Sequence, residues 1–436
     1  MNMKNIHELI PGGAHTYSKG DDQFPSNAPK MISHGKGAYV WDEDGKKFLD
    51  CGMGLASVSL GHGIKEVTES VSKTIEDGTN FMRPSVLEKK VANDFLELLP
   101  YHDMIKFAKN GSTVTTAAVK LARAYTGRDL ILVPEGHPFY SYDDWFIGST
   151  EADFGIPNDI KNLTLKFKAC SLTSLEEMFS KYPNKIAAVI TEPEKNWCSN
   201  CNCEQRPSEF LTKAIEITKK KGAIFILDEM QSGYRLGFPG AMTKYKLEPH
   251  LTTWGKGIAN GFSFCCLTGV KELMEQGSIN NLGSRKLFLI STTHGAESTG
   301  LAAAIATKEF YIKNNVIDHI HEIGKDFIIK TENVIKENNF QSFINIFKCA
   351  WMPGFNFNNS NEFESSFIKT FLLQELVSEN ILFQGVFVPS YSHTTDDVLF
   401  FANALDRSIK KIKNWMEFGG DGLVGEQVKP VFRKFI

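Results

Sequence analysis

This chain of 436 residues lacks an excess of either charge: 48 Lys and Arg face 51 Asp and Glu, a formal net charge of -3. The two signs are interspersed, so the sequence offers neither a basic face for nucleic acid nor a polybasic patch for an anionic membrane. Long apolar runs are missing too. No stretch approaches the ~20 residues that span a bilayer, and Met1 to Ile10 carries charges where a secretory leader would be apolar. Cysteine is sparse: eight in a chain of this length make no disulfide framework and suit a reducing compartment. Internal repeats, low-complexity tracts and Pro- or Gly-rich linkers are absent. These absences lead us to expect a cytoplasmic protein whose partners are small molecules.

Hydrophobic residues at 42% and charged residues at 23% are ordinary for a soluble enzyme, and the length accommodates a large domain with a smaller companion. Strand and helix patterns alternate, which points to an α/β fold with a mainly parallel sheet flanked by helices. The run GAYVWDEDGKKFLDCG predicts an early hairpin turning at Asp44-Gly45. A helix is expected from Ser112 to Tyr125, opened by Ser and Thr as cap residues. Three short apolar runs read as buried strands: Leu130 to Val133, Ile186 to Ile190 and Ala223 to Leu227. Each ends in polar residues: Pro134-Glu135, Thr191-Glu192 and Asp228-Glu229. Ligands of open parallel sheets sit at strand carboxyl ends, so the site is sought there. We place a large domain at residues 66–304 and a small α+β domain, discontinuous, at 1–65 and 305–436.

Lys256, in TTWGKGIANG, lies between glycines just after an apolar strand. Glycines there permit unusual backbone angles and the approach of a bulky planar group, and a lysine amine forms Schiff bases with aldehydes. Alone, a Gly-Lys-Gly is no more than a turn. Asp228 lies before it by about one helix-plus-strand unit, where a carboxylate can keep a pyridinium nitrogen protonated. The rival for IFILDE is the acidic strand of a nucleotide hydrolase. It requires a glycine-rich loop ending in Gly-Lys-Ser or Gly-Lys-Thr, which the sequence does not contain. Gly111, Ser112 and Thr113 precede a helix whose free N–H groups favour a phosphate; simple capping by Ser112 is the competing account. Cys198, Cys201 and Cys203 stand close enough to suggest zinc or iron, but no fourth ligand sits at a familiar spacing, and no metal is expected.

NGSTVTTAAVKLARAYTGRD, AAVITEPE, FILDEMQSGYRLGF, LTTWGKGIANG and STTHGAESTGLAAA follow one another as in the class III aminotransferases, which the chain resembles from about Pro11 to its last helices. Within that family the look is nearest to the glutamate-1-semialdehyde aminomutases. The resemblance implies a fold-type-I enzyme dependent on pyridoxal 5'-phosphate, with Lys256 matching the Schiff-base lysine and Asp228 the partner of the ring nitrogen. It implies further that Gly111 and Ser112 form the phosphate turn, that Phe139 stacks on the ring, and that Met230 supports the other face in place of valine. Gln231 then falls near the ring hydroxyl and Glu192 on the substrate side. Thr293 matches a threonine that reaches the neighbouring subunit's cofactor phosphate, which implies a homodimer with shared sites. Viewed singly, Phe139 and Met230 read first as core, Glu192 equally as an ion-paired strand end, and Thr293 as a loop hydroxyl.

Departures from the aminomutase pattern bear on substrate. Lys19 stands where those enzymes place an arginine, and lysine lacks the bidentate fork. GVFVPSYSHTTDD lacks their acidic gating residue, and the aromatic, acidic loop GHPFYSYDDWF, with Tyr140, suits a hydroxyl-rich acceptor such as a keto-sugar. The expected activity is ping-pong transfer of an amino group from an amino-acid donor, glutamate by preference, to a small carbonyl acceptor. An intramolecular aminomutase and a non-catalytic binding protein that retains the fold are the alternatives.

Overall fold

The computed structural model describes residues 5–136, 139–194, 206–280, 282–360, 362–420 and 422–436. The chain divides into two compact units. The larger comprises Ala56–Leu60, Ile64–Ile317 and Lys434–Ile436; the smaller runs up to Leu55 and adds Gly61–Gly63 and Asp318–Arg433.

Seven strands form the sheet of the larger unit, in the order Met104–Ala108, Cys265–Gly269, Leu251–Trp254, Ile224–Glu229, Ile186–Thr191, Leu130–Pro134 and Thr164–Phe167. The last five are mutually parallel. Cys265–Gly269 alone runs against both of its neighbours. Ile186–Thr191 and Ile224–Glu229 are buried at every position, as continuous apolar runs covered on both faces must be. Both expected strands extend further than their apolar residues, to Thr191 and to Glu229, because the ladder continues through the polar ends.

The helix Gly111–Thr126 packs Val114, Ala118, Leu121 and Ala122 into the same core as Ile131, Ile190 and Ile226. Its cap differs from expectation. Asn110 Oδ1 accepts the Thr113 N–H at 2.9 Å, so Asn110 rather than a serine or threonine closes the first turn. Gly127, at φ +66°, ends the helix with the left-handed turn that suits glycine. Among the described residues no helix is long and apolar enough to cross a membrane.

In the smaller unit Tyr39–Asp42 and Lys47–Asp50 form the expected hairpin. Asp42 Oδ1 accepts from Asp44 and Lys46 N–H, and Gly45 takes φ +81°. Ile32–Lys36 and Ile381–Leu382 extend the hairpin to a four-stranded sheet, beside which Ile344–Phe347 and Gly354–Phe357 form a separate pair. A phenylalanine cluster fills the core, with Phe327 stacked on Phe387 at 4.5 Å between ring centroids.

Candidate active site

Alternation along Ile224–Glu229 sends its two carboxylates to opposite faces. Asp228 is paired in register with Thr253 of the next strand. The Thr253 hydroxyl donates to Asp228 Oδ1 at 2.8 Å, and Met230 N–H donates to the same oxygen at 3.0 Å. Both bonds fall on Oδ1 and leave Oδ2 for a ligand. Burial pushes the Asp228 carboxyl up to about 7, helped by the negative charge of Glu192; the two hydrogen bonds and Lys256 pull the other way. A desolvated carboxylate beside a second one is a site for a cation or for a donated N–H⁺.

Glu229 does something else. It accepts from Ser232 Oγ and from Met242 N–H, and burial raises it to about 7. It ties down the segment that follows the strand.

Trp254, the last residue of the neighbouring strand, is followed by Gly255 and by the short turn Lys256–Ala259. Both ends of this turn are left-handed, Lys256 at φ +50° and Asn260 at φ +43°. Non-glycine residues adopt that region at a cost of roughly 1–2 kcal/mol each. The glycines flanking Lys256 have a different reason from the one expected. A Cβ on Gly255 would lie 2.6 Å from both Met230 Sδ and Cys265 Sγ, and one on Gly257 would lie 2.7 Å from an Arg235 nitrogen. Protein packing, not a ligand's approach, excludes a side chain at both positions.

Met230 Sδ also lies 3.0 Å from a Cβ placed on Gly111, so this side chain is wedged between the Gly111 turn and the Lys256 turn. Ser112 is buried, and its hydroxyl accepts the Tyr142 N–H at 3.1 Å instead of capping its helix. Thr113 is used in the cap itself, with both its N–H and its hydroxyl bonded to Asn110. Among the described residues no side-chain acceptor meets the N–H of Gly111 or Ser112.

The other expected site residues divide. Glu192 is buried at the end of Ile186–Thr191, one strand from Asp228. The Gln231 carbonyl accepts from Arg235. Phe139 is 44% exposed and meets Phe146 edge-on. Thr293 is exposed, its carbonyl accepting from Asn80. Lys19, also exposed, ends a short helical turn of the smaller unit.

Tyr140 requires a correction. Its ring is 2% exposed and its hydroxyl donates to the Ile190 carbonyl, so it does not present a hydroxyl to a substrate. The Asp143 carboxylate is likewise engaged, by Thr116 and Ser141. Cys198, Cys201 and Cys203 lie outside the described residues. Among those described, no cluster of His, Cys, Asp and Glu is arranged to hold a metal.

Four contributors escaped the sequence reading: Thr253, Arg235, Ser59 and Asn260. Thr253 and Asn260 share the motif LTTWGKGIANG with Lys256 and Arg235 lies in FILDEMQSGYRLGF, but no local pattern links Ser59 to the turn. Ser59 and its neighbour Leu60 are some 200 residues from the turn they contact.

The family model for class-III aminotransferases matches residues 21–156 and 146–390. The chain belongs to that family. Class-III aminotransferases are pyridoxal-phosphate enzymes, and the chain is one of the aminotransferases or of their close aminomutase kin. It is 29% identical over 357 residues to glutamate-1-semialdehyde 2,1-aminomutase of Clostridium tetani, covering 80% of this chain and 82% of the relative. It is 26% identical over 412 residues to 3-aminobutyryl-CoA aminotransferase of Cloacimonas acidaminovorans, covering 94% and 96%. In structure it resembles the pyridoxal-phosphate internal aldimine form of FumI from Sphingopyxis sp. MTA144, with a TM-score of 0.84 at 22% identity over 97% of this chain and 96% of that one. An omega-transaminase from Sphaerobacter thermophilus superposes with a TM-score of 0.81 at 20% identity over 93% and 96%. These likenesses establish the fold-type-I architecture.

The residues gathered at this sheet edge have the chemistry that pyridoxal phosphate requires. A lysine amine follows the strand beside Asp228, a buried carboxylate keeps one oxygen for a ligand, and the Gly111 and Ser112 N–H groups open a 16-residue helix.

Proposed function

We propose that this class-III enzyme transfers an amino group from an amino-acid donor, glutamate by preference, to a separate small carbonyl acceptor. When bound, pyridoxal phosphate supplies an aldehyde carbon that takes up amines and a ring that withdraws electrons from the substrate. Lys256 would hold the group through Nζ at rest, and when free the same nitrogen would take and return a proton at the substrate carbon. Asp228 keeps a proton on the ring nitrogen, its carboxylate oriented by Thr253 and by the Met230 amide. Gly111 and Ser112 offer N–H groups to the phosphate. Phe139 and Met230 would flank the ring, Gln231 would lie near its hydroxyl, and Glu192 would line the substrate side. Thr293, exposed here, serves the phosphate of a second copy in a homodimer.

The observation that carries this reading is the pairing of Asp228 with Thr253, three residues before Lys256, at the carboxyl edge of a parallel sheet. Asp143 and Tyr140 are engaged within the protein, which leaves Tyr142, 60% exposed, as the phenol of that loop able to meet a hydroxyl-rich acceptor. Intramolecular aminomutation is the second reading, favoured by the aminomutase relatives. Amino-donor dependence separates the two. On addition of glutamate alone the yellow cofactor band should give way to that of the aminated form, with release of 2-oxoglutarate. Efficient production of 5-aminolevulinate from glutamate-1-semialdehyde with no donor present would instead establish the mutase.

A further inference from the structure

The turn bearing Lys256 is left-handed at both ends, a geometry that persists only where surrounding contacts determine it. Those contacts come from a distant piece of the same unit. The Ser59 hydroxyl donates to the Gly257 carbonyl at 2.8 Å, and so holds the Gly257–Ile258 peptide, one residue beyond Lys256. Asn260 Oδ1 accepts two backbone N–H groups, from Ser59 at 3.0 Å and from Leu60 at 2.9 Å. All three bonds are buried; Ser59 is 0% and Asn260 8% exposed. Behind them Arg235 donates to the Val58 and Gln231 carbonyls, and its guanidinium packs where a side chain on Gly257 would be.

We propose that Ser59 and Asn260 form a latch that sets the backbone of Lys256, and that both are positioning residues for its amine. The inference rests on the reading of Lys256 as the residue that holds the cofactor. A side chain leaves the backbone along the Cα–Cβ bond, whose direction is fixed by φ and ψ. With the Gly257 carbonyl and the Asn260 amide anchored, Lys256 stays left-handed. Without them the turn relaxes toward ordinary helical or extended angles and carries the amine away from Asp228. Neither latch residue needs to touch a ligand for this to matter.

The test uses full-length protein freed of cofactor. Pyridoxal 5'-phosphate is added, aliquots are quenched with borohydride, and the growth of the phosphopyridoxyl adduct on the Lys256 peptide is followed by mass spectrometry. Melting curves of the same cofactor-free samples report folding. Asn260→Ala should slow adduct formation at Lys256 by about tenfold or more, equivalent to roughly 1.4 kcal/mol of barrier, with a folded melting transition. Asn260→Asp, which keeps the acceptor oxygen, should recover to within about threefold of wild type. Asn260→Gly, which relieves the backbone angle but has no acceptor, should remain slow.

Full recovery in Asn260→Gly, or a wild-type rate in Asn260→Ala, would overturn the latch. If the Asn260 variants do not fold, Ser59→Ala removes a single hydroxyl and should slow the adduct in the same direction; a wild-type rate there overturns the proposal equally. Absence of any adduct on the Lys256 peptide in wild type would instead refute the reading of Lys256, a distinct result.

Discussion

Thr253 faces Asp228 across adjacent parallel strands and gives it a hydrogen bond of 2.8 Å inside a sheet that excludes water. A bond to a buried charged group is worth about 1.5–3 kcal/mol. Thr253→Val, which keeps shape and loses the hydroxyl, should therefore weaken cofactor binding or lower turnover by about 10–100-fold. Asp228→Asn should cost more, because it removes the charge itself. Cofactor titration and steady-state kinetics of both variants measure the ordering. A Thr253→Val enzyme impaired as badly as Asp228→Asn would show that the threonine does more than orient the carboxylate.

Asp228 gives the cofactor-free protein a pH signature. Its carboxyl is raised from 3.8 to about 7 in the fold. Between those values the native chain keeps a proton that the unfolded chain has released, so this group's contribution to stability is lost as pH rises from 3.8 through about 7. A cationic ring nitrogen favours the charged carboxylate and reverses the loss. The rise in melting temperature on adding pyridoxal phosphate should grow from pH 5 to pH 8. Asp228→Asn should remove part of that growth, which separates it from the ionisation of the phosphate. Equal growth in variant and wild type would contradict the assignment.

Two buried histidines should take stability from the larger unit as pH falls. His102 is bracketed by partners that fix its protons: Trp254 Nε1–H donates to Thr268 Oγ1 at 2.9 Å, Thr268 bonds His102 Nδ1 at 2.7 Å, and His102 Nε2–H donates to the Pro249 carbonyl at 3.1 Å. His250 Nδ1 accepts the Phe225 N–H at 2.9 Å. Both rings are thus held neutral. Burial lowers each from 6.5 to about 4. Between pH 6.5 and 4 the unfolded chain binds protons that the native one refuses, so stability falls as pH falls. The slope is about 1.4 kcal/mol per pH unit for a histidine that titrates only when unfolded. Asp228 and Glu229, raised to about 7, act in the opposite sense over the same range, so the reading is a difference: the urea midpoint of His102→Gln should fall less on acidification than that of wild type. An unchanged slope in that variant would show that His102 is not among the groups responsible.

The sheet was legible because its central strands are unbroken apolar runs, which only burial on both faces explains. The placement of Asp228 and Lys256 at neighbouring strand ends was legible because it depends on local order, a strand end and then a glycine-flanked lysine one unit later. Other readings failed where tertiary contacts decide. Nothing in NGST tells that Asn110 caps the helix while the Ser112 hydroxyl goes to Tyr142. The glycines around Lys256 could be read as room for a ligand because the groups that fill it come from two other segments, Met230 and Arg235 from the stretch after Asp228 and Cys265 from the next strand. Tyr140 looked available in an exposed-reading loop, yet its ring fills the core beneath the helix. Ser59 and Asn260 meet across some 200 residues, and no periodicity signals such a contact.

The central claim is that Lys256 carries the cofactor. Its most direct measurement is borohydride reduction of the cofactor-loaded protein followed by peptide mapping, in wild type and in Lys256→Ala. The account predicts a phosphopyridoxyl group on the Lys256 peptide alone, loss of the yellow band on reduction, and a folded variant with neither adduct nor turnover. A stable adduct on another lysine, or a Lys256→Ala protein with full activity, would contradict it.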